Sequence, residues 1–221
     1  MARIARVVAP GYPHHVTQRG VRSLPIFSND QDRRTYLDMF AEQLDRFSVE
    51  VLAWCLMTNH THLIAVPKDS TGLARAIGEA HRRYTCRKNF AEGARGYLFQ
   101  GRFGSCVLDE SHLLAAVRYI ELNPVHAGMA AKAEEYRWSS AQFHLGRLAA
   151  DPLVKDRSLL GLVRDWAKYL EGSDEAAHKQ LLRSIRSGRP AGSDHFVKLI
   201  ENLTGRDLHL RKSGRPRKVA S

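Results

Sequence analysis

The chain is short of the features that mark disulfide-stapled, membrane-spanning or nucleotide-driven proteins. Its 221 residues include three cysteines, Cys55, Cys86 and Cys106. They are widely spaced and odd in number, so neither a disulfide framework nor a Cys-x-x-Cys zinc site is encoded. No run approaches the ~18 apolar residues of a membrane span, and residues 1–10 hold no long apolar core of the kind a secretion signal needs. No glycine-rich nucleotide-binding loop is present. These absences predict a reducing, cytoplasmic setting with no membrane and no nucleotide cofactor.

Acidic residues are also in deficit, 23 Asp and Glu against 34 Lys and Arg, which leaves a net charge of +11 and a pI near 9.9. A balance of this kind supplies salt-sensitive attraction to phosphates. Nucleic acid is favoured over an anionic membrane because no amphipathic basic helix stands out. With 43% hydrophobic residues the chain can bury a substantial core, which excludes a disordered protein.

Residues 13–19 read as a first strand ended by Gly20. Asn29-Asp30 offers an N-cap, and Tyr36, Leu37, Phe40 and Leu44 share one side of the helix that follows, to near Arg46. Residues 49–57 are strongly β-prone, and Thr58-Asn59 separates them from another strand, so the two form a hairpin. A second helix opens at Ser70-Thr71-Gly72 and runs to about Asn89. Glycines at 93, 96, 101 and 104 mark a loop before a short strand at 105–108. Asp109-Glu110-Ser111 starts a third helix that stops at Pro124. The order β-α-β-β-α-β plus a helix predicts an α+β, ferredoxin-like split βαβ fold with an antiparallel sheet. Three short helices are expected at 154–170, 174–187 and 193–204, and then a basic tail.

The chemistry gathers at His60-Thr61-His62. On a strand, residues two apart share a face, so both imidazoles project from one sheet surface as a pair of metal ligands. Tyr119 and Asn123, four apart on the third helix, share a helical face and can meet them with a phenol and an amide. A nitrogen and oxygen shell of this kind suits Mg²⁺ or Mn²⁺, although two imidazoles do not exclude Zn²⁺. His14 and His15 compete for a metal role, but neighbours on a strand face opposite ways, so at most one joins; the expectation is that one packs and the other is solvated. Glu121 is expected in a surface ion pair, and Tyr84 is the rival nucleophile.

Five blocks, in order, carry a family resemblance. They are His15-Val16-Thr17-Gln18-Arg19-Gly20, Cys55-Leu56-Met57-Thr58-Asn59-His60-Thr61-His62-Leu63, Gln100-Gly101-Arg102-Phe103, Tyr119-Ile120-Glu121-Leu122-Asn123-Pro124-Val125 and Trp138-Ser139-Ser140. Together they resemble the HUH single-tyrosine transposases, and within them the REP-associated tyrosine transposases. Thr61 replaces the usual bulky apolar residue and Thr58 a common proline. The resemblance implies cleavage of single-stranded hairpin DNA with Tyr119 as nucleophile, through a 5′-phosphotyrosine link and a free 3′-hydroxyl. It implies a metal held by His60, His62 and Asn123. The alternative is a domesticated protein that recognises repeat hairpins with little or no cleavage.

DNA contacts are expected from Arg82, Arg83, Arg87 and Lys88 on the second helix, from Gln18, Arg19 and Arg102 near the scissile strand, and from stacking on Tyr97 or Phe103. Gly214-Arg215-Pro216-Arg217 resembles an AT-hook, which inserts arginine into a minor groove. The expected division is a catalytic domain at 1–146, a helical appendage at 147–205 as a candidate for DNA binding, and a basic tail at 206–221, acting as a monomer or homodimer.

Overall fold

The computed structural model describes residues 4–155, 158–172 and 175–209. Four strands, β1 (His14–Arg19), β2 (Val49–Leu56), β3 (His60–Pro67) and β4 (Gly104–Val107), form one sheet in the order β2-β3-β1-β4, every pair antiparallel. Helix α1 (Asp30–Arg46) joins β1 to β2, α2 (Gly72–Glu92) joins β3 to β4, and α3 (Glu110–His126) follows. This is the ferredoxin-like architecture that the periodicity predicts.

Successive residues of β3 face opposite sides of the sheet and so sort its helices. Thr61 faces Tyr36 of α1, with α2 packed on the same layer. His62 faces Tyr119 of α3 on the other. Asn29 caps α1 by accepting from the Asp32 N–H, and Asp109 caps α3 by accepting from the His112 N–H. Helix α2 runs three residues beyond the expected end, to a left-handed Gly93. Helix α3 does not stop at Pro124 but continues to His126, because a proline in the last turn removes one helical bond while Ala127 N–H still reaches the Asn123 carbonyl.

The chain continues through α4 (Ala141–His144), α5 (Ser158–Leu162), α6 (Trp166–Glu171), α7 (Glu175–Ser187) and α8 (Asp194–Thr204). The single helix expected at 154–170 is two, since the Asp165 side chain caps a new start by accepting from Lys168 N–H. One apolar core extends from Val16 and the sheet out to Trp166, Leu181 and Ala191, so α4 to α7 share the core of the sheet domain. A second cluster joins Val7, Ala9 and Val107 to Phe196, Ile200 and Leu208, and Arg206 donates to the carbonyls of Ala5 and Arg6. Among the described residues no helix is long and apolar enough to cross a membrane.

Candidate active site

The β1–β3 register assembles the site. Thr17 lies opposite His62 and Arg19 opposite His60, so His15, Thr17 and Arg19 share a sheet face with both histidines. Gly20 fixes the end of this pairing. Its N–H donates to the Asn59 carbonyl, and a Cβ there would sit 2.3 Å from the Leu24 carbonyl oxygen, which only glycine avoids. The block at 100–103 is tied to the same corner: Gln100 N–H donates to the Arg19 carbonyl, and buried Gln18 donates to the carbonyl of Arg19 and, more weakly, to those of Gln100 and Gly101.

The imidazoles form an oriented network. Asn59 Nδ2 donates to the Ser23 carbonyl, which turns its Oδ1 toward His60 Nδ1 at 2.7 Å and leaves the proton on that nitrogen. His60 Nε2 therefore carries a free lone pair. Asn123 Nδ2 lies 3.3 Å from His62 Nε2, and His62 Nδ1 lies 3.0 Å from His15 Nε2. With the amide donating to that Nε2, His62 Nδ1–H donates to His15, and a cation at Nε2 would take the place of the Asn123 N–H. Burial lowers His15 to about 3 and His60 to about 4, the latter with help from the Arg19 charge. His62 is driven well below its ordinary value by burial and by His15 and His60. All three are neutral at pH 7, the form that ligates a metal.

Tyr119 is half-buried against this network. Its ring centroid is 5.5 Å from His62 and 6.1 Å from His15, edge-on in both cases, and 5.4 Å from His178 of α7. The His60 and His62 rings are 4.9 Å apart. Thus His60, His62, Tyr119 and Asn123 converge, as the sequence pattern predicts. Among the described residues no group of three or more His, Cys, Asp or Glu could hold a metal. The Nε2 atoms of His60 and His62 and the side-chain oxygen of Asn123, once its amide turns from His62, are the donor set that remains, and the neutral imidazoles fit a divalent cation.

One histidine that strand geometry allowed and one that nothing signalled join this site. His15 is buried and bonds His62, while His14 is buried on the opposite face, accepting from Ala9 N–H and donating to the Tyr12 carbonyl, so neither is solvated. His178 comes from the distant α7, and nothing in the local sequence around Tyr119 signals it. Glu121 corrects another expectation. It is fully buried, with Oε1 accepting from Ser140 and His144 and Oε2 from Trp166. Trp138-Ser139-Ser140 has a structural role here: it pairs with the edge of β2 and presents the Ser140 hydroxyl to Glu121. Tyr84, the rival nucleophile, is buried with its hydroxyl donated to the Ile26 carbonyl, and burial pushes its pKa up.

The family described as IS200-like transposase matches residues 12–123, which span β1 to Asn123. The chain belongs to the IS200-like transposases. A solved structure of a REP-associated tyrosine transposase bound to a REP hairpin is similar to this transposase, with a TM-score of 0.57 over 72% of this chain and 96% of that one. At 19% identity that likeness shows the shared fold. A comparison with curated proteins finds no match.

The expected DNA contacts are dispersed. Arg82 forks onto Glu79, Arg83 is held by Glu79 and Glu42, and Lys88 is buried between Asp32, Glu92 and Ser28. Lys88 is therefore an internal cation and not part of a DNA path. Arg19, Arg87 and Arg102 are exposed. Phe103 is buried under the Arg6 guanidinium, whereas Tyr97 and Phe90 are 89% and 91% exposed. Phe90 escaped the sequence reading because it lies off the buried stripe of α2. Arg215 and Arg217 lie outside the described residues.

Proposed function

We propose that this transposase cuts single-stranded hairpin DNA by attack of the Tyr119 hydroxyl on a phosphodiester. The tyrosine O–P bond forms, the bond to the 3′ oxygen breaks, and that oxygen leaves as a 3′-hydroxyl. The link conserves the energy of the phosphodiester, so the reverse step needs no nucleotide. The observation that carries this reading is the convergence of Tyr119 with the oriented His60–His62–Asn123 group. His60, His62 and Asn123 would hold a divalent cation, Mg²⁺ or Mn²⁺, which when bound polarises the scissile phosphate. His15 fixes the His62 ring, and Arg19, opposite His60, supplies a fixed positive charge for the phosphate. Exposed Tyr97, Phe90, Arg87 and Arg102 offer stacking and backbone contacts to unpaired DNA. The setting is cytoplasmic.

The test is incubation of purified protein with labelled hairpin DNA and Mn²⁺ or Mg²⁺, read on a denaturing gel for a protein–DNA adduct. Wild type is expected to form it, and Tyr119→Phe and His60→Ala to lose it while still binding. Tight hairpin binding with no adduct in any metal would replace this reading with the DNA-recognition one.

A further inference from the structure

Helix α7 brings His178 to the Tyr119 ring at one end and opens a basic cleft at the other. The cleft, of about 810 Å³, lies between α7 and α8 and is lined by Arg183, Arg186 and Arg189, with Gln180, His209 and, among the described residues, a single carboxylate, Asp194. Arg183 and Arg186 are exposed and form no ion pair with a described residue. That sets them apart from Arg82 and Arg83, whose charges are met by Glu79 and Glu42. Arg189 is fixed by donating to the carbonyls of Leu208 and His209.

We propose that this cleft is a second DNA site, which grips the phosphate backbone of the duplex stem while Tyr119 acts on the unpaired strand. The proposal rests on the reading of Tyr119 as a nucleophile for hairpin DNA. Three guanidiniums exceed what one phosphate monoester needs, and their planar forks match successive backbone phosphates. A concave surface lined by one sign of charge concentrates the field felt by a polyanion. Placement agrees: eight residues of helix from His178 to Arg186 advance the chain about 12 Å, which puts the cleft within a few base pairs of the Tyr119 ring. The described chain also passes through the cleft wall at His209.

The experiment uses the full chain carrying Tyr119→Phe, so that binding is measured without cleavage, and compares it with the same chain also carrying Arg183→Ala and Arg186→Ala. Anisotropy titrations against a labelled long-stem hairpin, and against a plain duplex, are run over a series of salt concentrations. Losing two phosphate contacts is expected to weaken binding about tenfold at moderate salt and to flatten the plot of log K against log salt by about 2. Unchanged melting temperature and circular dichroism separate this from misfolding, and Arg183→Lys with Arg186→Lys is expected to restore most of the salt slope. Equal affinity and slope in the parent and the alanine variant would overturn the cleft site. The covalent-adduct assay on the chain with Tyr119 intact decides the nucleophile separately. If it gives no adduct, the duplex titration still decides the cleft.

Discussion

Glu121 Oε2 accepts the indole N–H of Trp166 at 2.8 Å, and both side chains are buried. The bond ties the turn of α3 between Tyr119 and Asn123 to α6, so the tyrosine sits on a braced helix. Trp166→Phe keeps the ring and leaves one carboxylate oxygen unpaired. It is expected to cost about 1–3 kcal/mol, whereas Glu121→Ala, which strands His144 and Trp166 together, is expected to cost about 3–5 kcal/mol. Urea denaturation at pH 7 checks both, and equal midpoints for wild type and Trp166→Phe would refute the brace.

His15 bonds His62 Nδ1 and lies edge-on to the Tyr119 ring. His15→Ala is expected to lower metal-supported adduct formation about 10–100-fold, as loss of an orienting partner does, with hairpin affinity unchanged. His15→Gln, which keeps an acceptor toward His62 Nδ1, is expected to recover part of the loss. Single-turnover rates at saturating DNA read the effect.

Arg87 and Lys88 are adjacent and are expected to behave oppositely. Arg87→Ala is expected to weaken DNA binding and lower the salt slope by about 1 with stability unchanged. Lys88→Ala leaves Asp32 and Glu92 facing each other without their cation, and is expected to lower the melting temperature while altering affinity little. A salt titration and a thermal melt on each variant suffice.

Exposed and covered aromatics divide in the same way. Tyr97→Ala is expected to cost about 1–3 kcal/mol of single-strand binding, the contribution of one stacked base. Phe103→Ala is expected to destabilise the fold by about 3–5 kcal/mol through the cavity it opens. Anisotropy with unpaired DNA and a urea melt distinguish them.

Burial lowers His14 to about 4 and His81 to about 3. Both are neutral when folded and take up a proton on unfolding below the ordinary histidine pKa of about 6.5. The unfolded chain then binds more protons, so stability rises with pH. Their contribution is complete above about pH 6.5 and is lost as pH falls toward 3–4, at about 1.4 kcal/mol per pH unit for each histidine. Denaturant midpoints from pH 7.5 to 4.5 check the sign, and His81→Phe is expected to flatten the profile.

The split βαβ sheet was legible because alternation and helical spacing are local signals, and the same signals set His60 with His62 on one strand face and Tyr119 with Asn123 on one helical face. Glu121 was not, because periodicity describes one face of α3, while α4 and α6 cover another from more than 20 residues away in sequence. Strand geometry correctly allowed only one of His14 and His15 to meet His62, yet could not foresee that Ala9 and Tyr12 would satisfy the other inside the core. Lys88 looked like part of a basic run, since its partners Asp32 and Glu92 are brought together only by the packing of α1 on α2. His178 lies 59 positions beyond Tyr119, and only the closing of α7 over α3 connects them.

The clasp of Arg206 on the carbonyls of Ala5 and Arg6 joins residues 200 apart in sequence. Such a contact is absent from a ribosome-bound nascent chain until residue 206 has left the exit tunnel. By then the sheet and α3 are already outside. The clasp, and the Val7–Ile200 cluster behind it, are therefore late seams that close onto a sheet already formed.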